Sequence, residues 1–183
     1  IMGVPRNQVF GSGTVLDTSR LRYLVSRETG VATQNIHAYV TGEHGDSEVA
    51  LWSSAEIGNV PIRHWGPTLS GRLFDSDLRK EIAEEVTQSA YKIIEGKGAT
   101  NYAIGLSAAN IARAVLRDEN RVLTISSLLE DWEGISDVCM AAPTIVGRMG
   151  AGRVLNPPLT LAERDGLTES ARRLRAVAQE LGF

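Results

Sequence analysis

The order of its helical and extended patterns is the feature that most constrains how this chain folds. A helical pattern over 14–28 precedes short alternating segments, and a long helical pattern follows from Asp75 or Ser76. A second long helical pattern over 100–116, more alternating segments and a final helical pattern from Thr160 come after it. A doubly wound parallel sheet requires strands and helices to alternate. Because these patterns do not alternate, we predict an α+β fold that combines antiparallel strands with long helices.

Two of the helical patterns carry recognisable end signals. Thr14 stands at the N-cap position of the first pattern, and Gly30 follows its last turn as a stop signal. Thr160 and Glu163 have the spacing of a capping box, in which two side chains satisfy free backbone N–H groups at a helix start. The apolar residues that follow it have helical spacing and predict one buried face: Leu167, Ala171, Leu174, Ala178 and Leu181.

The extended patterns predict strands joined by short turns. Residues 36–41 alternate and are rich in β-forming side chains, and a polar loop over 42–46 separates them from a second apolar segment. Gly58 and Asn59 have the composition of a hairpin turn. Three further strands are predicted later in the chain, at 121–128, 136–146 and 153–155.

The composition favours one ordinary globular domain over residues 1–183. The chain is 43% hydrophobic and 22% charged, which argues against disorder. At this length about 70% of the surface of the unfolded chain can be buried, so the fold needs no disulfide or metal to hold it. The net charge of −3 argues against a nucleic-acid partner, because nucleic-acid surfaces require clustered positive charge.

The cysteine and histidine residues argue against a disulfide-stabilised protein and against a metal-binding protein. Cys139 is the only cysteine, so an internal disulfide is excluded, and a reducing, cytoplasmic compartment is favoured. The three histidines, at 37, 44 and 64, offer with it none of the spacings of metal sites, and we expect no metal. Neither a signal-peptide pattern nor an apolar run of about eighteen residues occurs, so no membrane association is expected.

Eighteen glycines raise the question of nucleotide binding. The clusters at 11–16 and 150–155 contain G-x-G but lack the third glycine of the G-x-G-x-x-G fingerprint. The cluster at 96–100 contains a lysine and a threonine, but not in the order of a phosphate-binding P-loop. We therefore predict turns and close-packing positions at all three clusters, and no dinucleotide site within this chain.

Three residues suggest acid–base chemistry. Asp17 and Arg20 stand three apart on the first predicted helix and so share a face, where a surface ion pair is the ordinary alternative. His44 stands in the polar loop, where the ordinary alternative is an exposed histidine. A carboxylate facing one ring nitrogen of a histidine favours the charged imidazole and leaves the other nitrogen as an acid or base. An arginine beside such a pair suits a substrate carboxylate, although spacing alone does not show that the three side chains meet.

Three segments carry a resemblance to a known family: LDTSRLRY at 16–23, GEHGDS at 42–47 and KGATNYAIG at 97–105. In this order they resemble the C-terminal, substrate-binding half of the NAD-dependent L-lactate dehydrogenases, within the lactate/malate dehydrogenase family. The resemblance covers the whole chain. It implies the fold of that family's C-terminal domain and the interconversion of pyruvate and L-lactate with NADH and NAD in fermentation.

The same resemblance implies roles for individual residues. His44 is implied as the proton donor and acceptor, and Asp17 as the carboxylate that orients it. Arg20 is implied as the group that binds the carboxylate of pyruvate or lactate. Thr100 is implied as a contact near the substrate.

A second implied site concerns regulation and rests on Arg22 and His37. These positions match a cationic pair that binds a phosphate of fructose 1,6-bisphosphate between subunits in allosteric bacterial members of the family. Arg22 lies about 200° around the helix from Arg20, away from the active-site face. A solvent-exposed arginine and a half-buried strand histidine are the ordinary alternatives. Members of the family are typically tetramers, so we expect a homotetramer.

The chain departs from the complete family pattern in two ways. The N-terminal dinucleotide-binding domain is absent from this chain, so NAD is expected to be bound mainly outside it, and the isolated chain is expected to be inactive. The mobile loop that separates lactate from malate is also absent, so a lactate-like malate dehydrogenase remains an alternative. A further alternative is a non-catalytic oligomerising or effector-binding module, in which the apolar helix over 101–115 serves an interface.

Overall fold

The structure is a computed structural model, and it describes residues 3–97 and 101–182. Its long helices are α1 (Val15–Thr29), α2 (Ser76–Lys97), α3 (Tyr102–Leu116) and α4 (Leu161–Glu180). The short strands of the first half are β1 (Ile36–His37), β2 (Val40–Thr41), β3 (Val49–Ala50), β4 (Glu56–Ile57) and β5 (Val60–Pro61). The longer strands are β6 (Arg121–Leu129), β7 (Val138–Gly147) and β8 (Gly150–Val154).

All the strand pairs in the described residues are antiparallel. The largest sheet has the order β6-β7-β8, a second has the order β1-β4-β5, and β2 pairs with β3. A single backbone bridge between Gly42 and Ala141 ties the end of β2 to β7. The predicted α+β class with antiparallel strands is therefore confirmed.

Helix α1 begins and ends where its sequence signals predict. Gly30 follows the helix in the left-handed conformation (φ 72°), and its N–H donates to the carbonyl of Ser26 at 2.8 Å. Thr14 stands at the N-cap, but its side chain does not cap the helix. Its Oγ1 instead donates to the carbonyl of Val40 at 2.6 Å, so this threonine attaches the helix start to β2.

The stretch 36–41, predicted as one strand, is divided between two sheets. Its first part, β1, pairs with β4, and its second part, β2, pairs with β3. Between them the carbonyl of Ala38 accepts a hydrogen bond from Arg22 Nε at 3.0 Å, so a side chain occupies an acceptor that a continuous ladder would use. The prediction of a single strand was wrong because this partner is distant in sequence.

The other local signals are mostly confirmed. Gly58 and Asn59 both adopt positive φ (56° and 67°) and join β4 to β5 as the predicted hairpin. Thr160 and Glu163 form both hydrogen bonds of the capping box. The apolar stripe of α4 is buried at Leu167 but ends before Leu181, which is 70% exposed.

The glycine clusters that the structure describes act as close-packing turns. Gly13 has a positive φ of 52°, and a Cβ there would lie 2.5 Å from the carbonyl oxygen of Thr124. At Gly150 a Cβ would lie 2.0 Å from the carbonyl oxygen of Asn7. At Gly13 and Gly150 backbone atoms occupy the space that a Cβ would need, as predicted for close-packing positions. Part of the cluster at 96–100 lies outside the described residues.

Within the described residues, no helix has the length and apolar character needed to cross a bilayer.

Candidate active site

The first turn of α1 supplies a buried carboxylate. Asp17 is 2% exposed, and its Oδ1 accepts a hydrogen bond from Arg20 Nη1 at 2.9 Å. The side chain of Arg20 is itself only 12% exposed. The predicted pair therefore forms, but inside the protein, and the interpretation as a surface ion pair is wrong.

Two threonines beside this carboxylate hold β2 against α1. Thr18 Oγ1 accepts from the N–H of Val40 at 3.0 Å, and Thr14 Oγ1 donates to the carbonyl of the same residue. Both polar groups of one strand residue are thus satisfied by side chains of the helix start. This attachment sets the distance between Asp17 and the loop that begins after β2.

The loop between β2 and β3 carries His44, and two distant elements position it. The N–H of Gly42 donates to the carbonyl of Ala141 on β7 at 2.9 Å. The N–H of Glu43 donates to Oγ of Ser170 on α4 at 2.6 Å. Gly42 has a φ of 94°, and a Cβ there would lie 2.7 Å from that same Oγ, so only glycine fits this approach.

The structure brings His44 to the buried carboxylate. His44 Nδ1 lies 2.6 Å from Asp17 Oδ2, so the ring donates one hydrogen bond to Asp17 while Arg20 donates another to the second carboxylate oxygen. The hydrogen bond to Asp17 is the largest influence on His44, and it raises the pKa of the imidazole above its usual value, against the opposing effect of burial. The His44 side chain is 55% exposed, so Nε2 remains available for proton exchange.

Arg20 has a donor that no described residue satisfies. Within the described residues its Nη2 is buried and has no hydrogen-bond partner. Buried polar atoms usually have a partner, and an unpaired guanidinium N–H in a cleft suits an anionic ligand. A carboxylate bound there would be the missing acceptor.

These side chains line a small cavity of about 190 Å³. It is smaller than the range of about 300–1,000 Å³ typical of pockets for drug-sized ligands. Its size is therefore suited to a small organic acid. Its lining residues are Asp17, Arg20, His44, Gly45, Glu48, Thr87 and Tyr91.

Glu48 is a site residue that the sequence analysis missed. It lies at the end of the His44 loop, and its Oε1 accepts a hydrogen bond from Thr87 Oγ1 on α2 at 2.9 Å. Burial, followed by the nearby charge of Asp17, raises the pKa of Glu48 to about 7. The sequence signal was a carboxylate four residues after the histidine, but a loop spacing does not define where a side chain points.

Asp17, His44 and Glu48 form the one group of three potential metal-ligating side chains found among the described residues, with ligand atoms within 4.8 Å of one another. Asp17 is already hydrogen-bonded to His44 and Arg20, and Glu48 to Thr87. We therefore interpret the group as an acid–base cluster. The absence of a metal remains a prediction.

The raised pKa of Glu48 gives a prediction for stability. Because folding raises this pKa from 4.5 to about 7, the folded state favours the protonated acid, and this contribution is lost as the pH rises through about 7. Glu48→Gln keeps a hydrogen-bond acceptor for Thr87 and removes the charge. We expect it to increase the free energy of unfolding by about 1–3 kcal/mol at about pH 8 and to change it little at about pH 4.

Denaturant unfolding at the two pH values measures this effect. Glu84→Gln is the matched control, because Glu84 is an exposed carboxylate on α2 whose ion pair with Lys80 has an N–O distance of 3.9 Å. An equal gain in both variants at about pH 8 would mean that overall charge, and not burial of Glu48, is responsible.

The remaining predicted residues have different outcomes. Thr100 lies outside the described residues. Arg22 is partly buried, with its guanidinium carbon 5.1 Å from the centre of the Tyr39 ring, and burial lowers its pKa. His37 is exposed on β1, next to the residue whose carbonyl Arg22 binds. The alternatives of a solvent-exposed arginine and a half-buried histidine are therefore both wrong.

The fold and this geometry together define a class of protein. A histidine hydrogen-bonded to a buried carboxylate, beside an arginine with a free N–H group, is suited to proton transfer on a small carboxylic acid. A family model for the lactate/malate dehydrogenase, alpha/beta C-terminal domain matches residues 14–181. The chain belongs to the lactate/malate dehydrogenase family.

Individual relatives agree with this assignment. The chain is 50% identical to an L-lactate dehydrogenase of Bifidobacterium animalis subsp. lactis over 183 residues, which is 100% of this chain and 57% of that protein. It is 45% identical over 183 residues to an L-lactate dehydrogenase of Thermus aquaticus, covering 100% of this chain and 59% of the relative.

A solved structure supports the fold. The crystal structure of a lactate dehydrogenase from a Medee basin deep-sea metagenome library superposes with a TM-score of 0.92 at 34% identity, covering 99% of this chain and 57% of that one. The expected C-terminal domain fold is therefore confirmed. The chain spans just over half the length of the relatives that it matches.

Proposed function

We propose that this chain is the substrate-binding and proton-transfer part of an L-lactate dehydrogenase, which interconverts pyruvate and L-lactate with NADH and NAD. The observation that carries the proposal is the hydrogen bond between His44 and buried Asp17, beside Nη2 of Arg20, which has no partner in the described part of the chain. The names of the relatives support the same reaction.

Each of the three residues has one task in this reaction. Arg20 binds the substrate carboxylate through Nη2, while its Nη1 stays on Asp17. Protonated His44 donates from Nε2 to the carbonyl oxygen as negative charge grows there, and Asp17 stabilises the imidazolium. In the reverse direction, neutral His44 accepts the hydroxyl proton of lactate.

The cofactor is assigned to a part of the protein outside this chain. The described glycine turns at Gly13 and Gly150 are filled by backbone, so they offer no cradle for the phosphates of a dinucleotide. The nicotinamide cofactor, when bound, supplies the hydride for the carbonyl carbon. The residues described above bind and orient the organic acid and move its proton.

The direct test is oxidation of NADH by the full-length protein with pyruvate and, separately, with oxaloacetate. Faster turnover with pyruvate is the expected result. Faster turnover with oxaloacetate would establish the alternative, a lactate-like malate dehydrogenase. Absence of turnover with both acids in a folded protein would rule out the proposed reaction.

We also propose that the full-length protein is a cytoplasmic homotetramer and that fructose 1,6-bisphosphate activates it. A partly buried Arg22 and an exposed His37 near it offer a cationic surface for a phosphate group. The phosphate would meet the chain at β1, on a different side of α1 from the catalytic histidine.

Arg22→Gln is expected to abolish the increase in pyruvate turnover on adding fructose 1,6-bisphosphate, because the guanidinium that pairs with the phosphate is lost. Initial rates measured across a range of effector concentrations test this. Arg27→Gln is the control, since Arg27 is an exposed arginine of the same helix paired with Glu85. An unchanged response in Arg22→Gln would refute the assigned site.

A second candidate function is a non-catalytic oligomerising or effector-binding module. One observation favours it: α3 leaves large apolar side chains exposed, with Leu106 at 69% and Leu116 at 81%. Large exposed apolar side chains on one helix suit an interface when they form a contiguous patch. The module is supported if the full-length protein binds the bisphosphate or assembles but shows no turnover with either acid.

A further inference from the structure

Glu48 and Thr87 lie in the cavity, but the proposed reaction uses neither of them. Glu48 lines the same cavity as Asp17, Arg20 and His44, and its carboxylate is within 4.8 Å of the hydrogen-bonded pair's ligand atoms. A hydrogen bond from α2 holds it there. Burying a second carboxyl group in a small cavity is costly, and titratable groups kept in such places are characteristic of functional sites.

We propose that Glu48 is a positioning residue of the acid–base site, which acts through His44 and sets the pH at which His44 loses its proton. This inference rests on the proposed function, because it assigns His44 a proton-transfer role. Thr87 is the partner that holds Glu48 in place.

The charged groups around Glu48 come from three elements. From α1, Asp17 raises the pKa of Glu48, whereas Arg20 lowers it. From its own loop, His44 lowers that pKa, and Asp46 lines a neighbouring cavity that also borders Glu48. From α2 come the Thr87 hydrogen bond, which lowers the pKa of Glu48, and two further titratable cavity residues, Glu84 and Tyr91.

The closeness of their charges makes the ionisations of His44 and Glu48 interdependent. Near neutral pH one proton lost from Glu48 adds a negative charge beside the imidazole, and that charge raises the pKa of His44. The imidazolium therefore persists to a higher pH than the pairing with Asp17 alone would give.

The experiment measures the titration of His44 without using activity. Diethyl pyrocarbonate modifies only neutral imidazole, so the pH dependence of the modification rate of the His44 peptide, followed by mass spectrometry of the full-length protein, reports its pKa. Glu48→Gln is expected to lower the midpoint by about half a unit to one unit. The shallow transition expected of two coupled groups should also become a simple single-proton curve.

Two further variants keep the test decisive. Thr87→Val removes the hydrogen bond that favours ionised Glu48, so the His44 midpoint should fall in the same direction by a smaller amount. Glu84→Gln removes a carboxylate from the same helix and should leave the midpoint unchanged. A folded Glu48→Gln protein with the wild-type midpoint, or an equal shift in Glu84→Gln, would overturn the proposal.

The pH dependence of kcat/KM separates this inference from the proposed function. In Glu48→Gln, the pH at which kcat/KM for pyruvate reduction is half-maximal should fall by the same amount as the modification midpoint, because both report His44 in the free enzyme. A purely structural role would lower kcat/KM at every pH without moving the midpoint. A shifted modification midpoint in a protein without turnover would refute the reaction and keep the coupling, whereas turnover without a shift would refute the coupling alone.

Discussion

Replacing His44 by asparagine is expected to lower kcat for pyruvate reduction by about a hundred- to ten-thousand-fold, the range that general acid–base catalysis contributes. Asparagine can still donate a hydrogen bond to Asp17, but it has no proton to transfer to the developing alkoxide. Stopped-flow measurement of NADH oxidation gives kcat, and fluorescence titration gives the Kd for NADH. The Kd is expected to stay unchanged, because the proposed cofactor site lies elsewhere.

The matched control for this variant is His64→Asn. His64 is exposed, lies in a short 3-10 turn and does not line the active-site cavity. Wild-type turnover in His64→Asn together with a large loss in His44→Asn is the expected pattern. Undiminished kcat in His44→Asn would exclude His44 as the proton donor.

The sign of the pH dependence follows from the same residue. Because the hydrogen bond to Asp17 raises the pKa of His44, the imidazolium needed for pyruvate reduction persists to a higher pH than in an ordinary histidine and is lost as the pH rises through that raised value. The neutral imidazole needed for lactate oxidation appears over the same interval. The rate of pyruvate reduction should therefore fall, and the rate of lactate oxidation should rise, with increasing pH.

Arg20→Lys is expected to lower kcat/KM for pyruvate by about a hundred- to thousand-fold. A lysine keeps the positive charge, but it cannot donate one N–H to Asp17 and another to the substrate carboxylate in the fixed geometry of a guanidinium. The binding of the carboxylate would weaken, and Asp17 would lose part of its support. Steady-state kinetics over a range of pyruvate concentrations measure the effect, which should include an increase in KM.

Arg27→Lys provides the comparison on the same helix. Arg27 is exposed and pairs with Glu28 and Glu85, outside the cavity. Its variant is expected to keep the wild-type kcat/KM. A loss of less than about tenfold in Arg20→Lys would show that Nη2 of Arg20 does not bind the substrate carboxylate.

The buried Nη2 of Arg20 illustrates what sequence analysis could not reach. The spacing of Asp17 and Arg20 correctly predicts that they share a helix face. Their burial depends on β2, which Thr14 and Thr18 attach to the helix start. A spacing rule describes one helix and contains no information on which segment covers it.

Glu48 illustrates the same limit for charge. Its identity as a carboxylate in a polar loop was visible, but its pKa depends on burial and on Asp17, which lies more than thirty residues earlier in the chain. In the sequence it was indistinguishable from the acidic residues that simply face solvent. The cavity between α1, α2 and the His44 loop is what gives it a role.

By itself, the sequence determined the features that depend on near neighbours. Gly30 ends α1, Gly58 and Asn59 form the hairpin, and Thr160 with Glu163 begins α4, because each signal acts through backbone conformation or hydrogen bonds within a few residues. The order of these elements was sufficient to predict the α+β class. The three short motifs were sufficient to indicate the family that the family model then confirmed.

The tertiary structure alone decided the features that join distant segments. It divided the stretch 36–41 into two strands, because Arg22 binds a carbonyl between them. It also placed His44 2.6 Å from Asp17, because β7, α4 and the start of α1 together position the loop and the helix. Burial and charge depend on which segments pack against one another, and that is decided by the fold as a whole.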